Sequence, residues 1–178
     1  MIIYDTRFNM NEWFVLSGFV IGIGLVLILP KRFTLQQSIL FYMCGAYSGF
    51  FFDHSLSVTP LSLYDVNDTS DYEWIDFLSY FAYGAVAYMF FYVYDKFRIR
   101  PAYIPVYILI WSLASVGFEW ISVKLGVFHY NYGYKLAYSF AIYLFVQTAW
   151  IALFFRYGRG NAGNTGYAAA DLTKAKNA

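Results

Sequence analysis

"AYIPVYILIWSLASVGFEWISV", residues 102 to 123, holds one charged residue, Glu119, and no Lys or Arg. Wound as a helix at 1.5 Å per residue, it reaches about 33 Å, enough to cross the roughly 30 Å hydrocarbon core of a bilayer. Four further stretches read the same way: about Trp13 to Leu29, Thr34 to Leu56, Glu73 to Tyr94 and Leu136 to Tyr157, with Pro30 closing the first and Pro101 opening the fourth. The whole chain agrees with its parts. Its 178 residues are 60% hydrophobic, 24% aromatic and 13% charged, where a soluble domain carries about 25% charged residues.

The predicted fold class is therefore all-α, a five-helix transmembrane bundle over residues 1–157, followed by a mobile cytoplasmic tail over 158–178 that is rich in Gly and Asn. Lys and Arg set its orientation. Lys31, Arg32, Lys96, Arg98, Arg100, Arg156, Arg159, Lys174 and Lys176 fall on one side, and Arg7, Lys124 and Lys135 on the other. The N-terminus is expected outside and the C-terminus in the cytoplasm, in a multi-pass protein of the cell membrane. A net charge of +1 gives no pull toward nucleic acid. The single Cys44 excludes an intrachain disulfide, and the first residues lack the basic start and cleavage site of a secretory signal.

The acids fall at one depth. Asp53 comes about 19 residues after Thr34, and Glu119 about 18 after Pro101, so both lie roughly 27–28 Å across, near the outer boundary. Asp76 lies within the first turn of the third span. Glu12-Trp13, Glu73-Trp74 and Glu119-Trp120 all fall at outer helix ends, where indole rings settle at headgroup level. Residues three and four apart share a helix face, so Glu119 continues a stripe of Ser112, Ser115 and Ser122. Asp76 similarly aligns with Tyr80 and Tyr83, and Ser139 with Tyr143 and Gln147. Polar stripes turn inward in lipid. The expected result is an outer mouth lined by Asp53, Asp76, Glu119, His129 and Tyr80, with Tyr143 and Gln147 deeper. Simple snorkelling of the acids to outer water and ordinary interhelical bonding explain the same residues without a ligand.

The outer loops carry two further patterns. Asp65, Asn67, Thr69, Asp71, Glu73 and Asp76 follow the spacing of a calcium loop, but Ser70 stands where Gly is required. His54, His129, Asp53 and Glu119 have the side chains of a zinc or iron site, but adjacent helical residues point about 100° apart and cannot both face one centre. No metal or other cofactor is expected. No lysine lies deep enough for a retinal Schiff base, and two histidines make a weak case for haem. Gly18-x-x-x-Gly22 and Gly45-x-x-x-Gly49 permit close helix approach, within the chain or in a homo-oligomer. "SGFFFD" (48–53) and "SVGFE" (115–119) hint that spans two-three and four-five are repeated hairpins, with span one extra.

Asp53, Pro60, Leu63-Tyr64, Phe118-Glu119, Gly126 and Tyr130 together resemble a family of small multi-pass membrane proteins of unknown function from Gram-positive, often spore-forming, bacteria. The resemblance covers most of the membrane region, stops before the tail and implies no activity. It leaves as the expected function a non-enzymatic membrane component that binds a ligand, cation or partner at its outer pocket. Its partners are the bilayer and a second copy or another membrane protein. One alternative is an outer-leaflet enzyme acting on a lipid headgroup through Asp53, Glu119 and His129. The other is a small proton- or cation-coupled carrier using Glu119 and Asp76.

Overall fold

The structure is a computed structural model that describes residues 2–58, 60–69 and 72–158; the predicted tail lies outside them apart from Gly158. Five long helices account for most of the described chain: α1 (Met10–Ile28), α2 (Leu35–Leu56), α3 (Trp74–Lys96), α4 (Ile104–Lys124) and α5 (Leu136–Tyr157). A short 3-10 turn over Pro101–Tyr103 leads into α4. Two three-residue strands, β1 (Tyr64–Val66) and β2 (Phe128–Tyr130), pair antiparallel between the helix ends.

Four of the helices, α1, α3, α4 and α5, are long and apolar enough to cross a membrane. The second helix matches them in length but carries Gln36, Gln37, Ser38, Asp53 and His54, which lower its apolar character. Local chemistry explains where the helices begin. The Asn9 side chain accepts from the Asn11 N–H while the Asn9 N–H donates to the Glu12 carboxylate, and Thr34 forms the same reciprocal box with Gln37, so orphan N–H groups at both starts are satisfied.

The centre of the molecule is α3, the most buried of the helices that can cross. It runs parallel to α1, matching Val15 to Ile75 and Gly22 to Ala85, where a Cβ on Gly22 would come within 2.8 Å of the Ala85 methyl. Against α2 it runs antiparallel. Gly45 lies so close to the Tyr83 carbonyl that no side chain fits, and Gly49 faces the Tyr83 ring. The second Gly-x-x-x-Gly pair thus serves packing inside the chain, as does Gly22 of the first, while Gly18 faces open space.

At the end away from the ribbon, Phe41, Phe90, Phe91, Tyr94, Tyr107, Ile108, Ile151 and Phe154 join α2, α3, α4 and α5 in one core. Phe41 stacks on Phe91 with centroids 4.2 Å apart, and Tyr94 meets Phe154 edge to face at 5.0 Å. Arg32 closes this end on Asp95, Nε to Oδ2 at 2.6 Å.

Candidate functional site

At the other end the polar side chains gather under the ribbon. The register pairs Tyr64 with Tyr130, Asp65 with His129 and Val66 with Phe128. Directly opposed residues share a face of an antiparallel pair, so the two tyrosines point together into the bundle, and Asp65 and His129 point away from it. Each tyrosine then reaches a different helix. The Tyr64 hydroxyl donates to Asp53 Oδ1 at 2.7 Å, and the Tyr130 hydroxyl to Glu119 Oε1 at 2.5 Å.

The two bonds share one spacing. Both tyrosines follow their acid by 11 residues. Each acid thus meets a tyrosine from the strand that follows its own helix, and the ribbon sets the two tyrosines opposite each other. The first helix, α1, belongs to neither hairpin and packs on α3.

Glu119 is bonded on both oxygens. Ser139 donates to Oε1 at 2.6 Å and Tyr143 to Oε2 at 2.6 Å, so three hydroxyls surround a carboxylate that is 7% exposed. Tyr134 contacts the Ser139 hydroxyl at 3.0 Å and lays its ring 5.6 Å from that of Tyr64, which links the two acids. Charge-assisted bonds of this kind are roughly twice as strong as neutral ones. Burial first, and then the Asp53 charge, pushes the Tyr64 phenol far above its usual range. Burial and the bond to Glu119 do the same for Tyr130. Both therefore stay protonated and keep donating.

Of the expected site residues, Asp53, Asp76 and Glu119 are all buried, and the Tyr83 phenol lies within electrostatic reach of the three. Asp76 is held by Asn67 Nδ2 at 2.5 Å and by the Glu73 N–H at 2.7 Å. Tyr80 borders Asp53, and its buried hydroxyl has no hydrogen-bond partner among the described residues. Gln147 lies deeper, accepting from Ser112 at 2.8 Å and donating to Ser115 at 3.2 Å. His129 is not with them. It stacks on Tyr4 with centroids 3.7 Å apart on the far face of the ribbon, where Asp65 accepts from Tyr4 at 2.6 Å and from Asn131 at 2.8 Å.

The ribbon thus covers what was expected to be an open, carboxylate-lined mouth. The space left beside it is an apolar groove of about 390 Å³ between the ends of α2 and α5, walled by Leu56, Leu63, Tyr134, Tyr138 and Ile142, with none of the three acids in its lining.

The metal readings fare similarly. His54 lies exposed outside the cluster, its Nδ1 2.9 Å from the Phe50 carbonyl and 3.2 Å from the Tyr72 hydroxyl. Asp53, Glu119 and His129 face different partners, so the four do not meet at one centre. In the calcium-loop pattern, Asp65 turns to Tyr4 while Asn67 binds Asp76, and Asp71 lies outside the described residues. Among the described residues no three His, Cys, Asp or Glu side chains are grouped to hold a metal ion.

Two partners of Glu119 were not among the expected site residues, although Ser139 belonged to the polar stripe of the fifth span. Tyr130 and Ser139 donate to Glu119 from the loop and from the start of α5. The N-terminal segment also crosses the ribbon end, with Tyr4 N–H on the Asp68 carbonyl at 2.7 Å. No protein-family model, curated protein or solved structure matches the chain.

Proposed function

We propose that the chain is a five-span protein of the cell membrane, N-terminus outside and C-terminus cytoplasmic. Its ribbon-covered outer end serves as a non-enzymatic recognition platform for a ligand, cation or partner. The parallel run of α1 beside α3 supports the fifth crossing: if both span, the chain must return through α2. Nine basic residues against three support the orientation. The resemblance to small multi-pass bacterial membrane proteins fits the same location.

One observation carries the functional reading. Asp53 and Glu119, the acids nearest the expected mouth, are committed to hydroxyl donors that tie four segments together. A general base or a metal ligand needs a lone pair directed at its substrate; both Glu119 oxygens and Asp53 Oδ1 are directed at the protein. The carrier reading is weaker for a second reason. The polar stripe from Glu119 through Ser115, Gln147 and Ser112 ends against Tyr107, Trp111 and Phe90, which fill the bundle beyond it.

Cysteine labelling tests the arrangement. Tyr132→Cys on the ribbon turn and Phe97→Cys beyond α3 are both well exposed, at 84% and 66%. In a Cys44→Ser background, a membrane-impermeant maleimide added to intact cells should modify position 132 and reach 97 only after permeabilisation. The opposite pattern overturns the orientation, and equal labelling of both in intact cells overturns the five crossings.

A further inference from the structure

The two ends of the molecule differ in charge as well as in packing. Among the described residues Asp95 is the one Asp or Glu at the end away from the ribbon, where Lys31, Arg32, Lys96, Arg98, Arg100 and Arg156 gather. The orientation of a membrane protein follows Lys and Arg and is nearly blind to Asp and Glu, so the scarcity of acids here is an observation separate from the topology. Arg32 takes the one carboxylate. Lys96 lies back along the rings of Tyr92 and Phe97, its Nζ 5.9 and 5.7 Å from their centroids. Arg98 and Arg100 are both exposed, and among the described residues no acid, ring or hydrogen-bond acceptor stands against either guanidinium.

The end of α3 builds their position. The Arg98 N–H returns to the Asp95 carbonyl at 3.2 Å and the Ile99 N–H to the Tyr94 carbonyl at 3.3 Å, the paired bonds that close a helix when the residue after its cap turns left-handed. Arg98 is that residue, at φ +48°. Glycine is the usual occupant, because a Cβ is crowded in this conformation. Ile99 then packs against the aromatic core that includes Tyr94, so the two arginines flank an anchored residue. Phe97 and Tyr103, 66% and 60% exposed, stand before and after the pair. Cations set between exposed rings at a helix end match a phosphodiester above its acyl chains, and a guanidinium can give two parallel N–H donors to phosphate oxygens.

We propose that the α3–α4 turn holds the phosphate of an anionic phospholipid through Arg98 and Arg100, with the acyl chains against Phe97 and Tyr103. Charge selects this occupant. An anionic headgroup is drawn to the unpaired cations, whereas a zwitterionic one brings a cation of its own to a surface whose one carboxylate is already taken. The inference goes beyond the recognition role given above and rests on that reading only for the leaflet, the cytoplasmic one.

The test places the full chain in nanodiscs containing equal amounts of phosphatidylglycerol and phosphatidylcholine with the same acyl chains, and reads retained lipid by native mass spectrometry. The wild type should retain the anionic lipid with roughly tenfold or greater preference, as two cations at the surface provide. The preference should fall to near parity in Arg98→Gln combined with Arg100→Gln. It should persist in Lys124→Gln combined with Lys135→Gln, which removes the same charge at the ribbon end. Arg98→Gly separates binding from folding: it suits the left-handed turn, so it should lower the preference without lowering the unfolding temperature.

Equal retention of both lipids by the wild type, a preference that survives the paired arginine substitution, or an equal loss in the paired lysine substitution overturns the proposal; the first needs no variant to fold. Retained lipid that free glycerophosphate displaces at equal concentration assigns the turn to a soluble anion and overturns the lipid. Nanodiscs expose both faces, so binding is read whichever way the chain lies, while the labelling test reads orientation alone.

Discussion

At the Arg32–Asp95 end, Phe41, Phe90, Phe91 and Phe154 interlock as rings. At the ribbon end, Asp53, Asp76 and Glu119 each accept a bond from a side chain on another segment. Both ends join the same helices, by different physics. Ring packing is strong but tolerates small rotations, whereas a short bond from a phenol to a carboxylate fixes the height and angle of the helix that carries it. Lipid gives no hydrophobic drive for helix association, so each end needs an attraction of its own. The difference teaches where specificity lies: the aromatic end supplies cohesion, and the ribbon end sets register.

Substitutions should separate the two. The largest loss is expected from Phe91→Ala, which empties a fully buried ring site and should cost about 3–5 kcal/mol in reversible unfolding from mixed micelles, without pH dependence. Tyr64→Phe and Tyr130→Phe remove one hydroxyl each from a buried carboxyl group. Each should cost about 1.5–3 kcal/mol, with the smaller loss at Tyr130, because Ser139 and Tyr143 still donate to Glu119.

A smaller effect follows acidity at the ribbon end alone. Burial, with Glu12 alongside, pushes the Asp68 carboxyl from 3.8 up to about 6. The folded chain therefore holds this proton more tightly than the unfolded chain does, so stability falls as pH rises between about 4 and 6. The protection of the Tyr4 amide, its exchange rate divided by the intrinsic rate at each pH, should fall across that window in the wild type and not in Asp68→Asn. The smallest change is expected from Arg32→Ala, about 0–1 kcal/mol, because that pair is about one-third exposed and water screens it.

The helices were legible nearly to the residue. Expected spans at 34–56 and 136–157 appear as Leu35–Leu56 and Leu136–Tyr157, because unbroken apolar runs with caps and prolines leave little choice. The first helix starts earlier than expected, at Met10, since the Asn9 cap and Glu12 outweigh the polar letters before Trp13. The ribbon was not legible. Tyr-Asp-Val and Phe-His-Tyr are too short to show alternation, and their pairing joins loops far apart in sequence. That pairing decides the site. It buries Tyr130 against Glu119 and turns His129 away, a distinction invisible in two adjacent aromatic letters. The hint of repeated hairpins came from the acids; the equal spacing to Tyr64 and Tyr130 becomes meaningful only once the ribbon aligns them.

The register claim is tested most directly by a double-mutant cycle on the Tyr130 and Glu119 pair, measuring unfolding free energy in mixed micelles for Tyr130→Phe, Glu119→Gln and both together. A bond that fixes α4 to the ribbon gives a coupling of about 1–3 kcal/mol. Losses that add to within about 0.3 kcal/mol would contradict it.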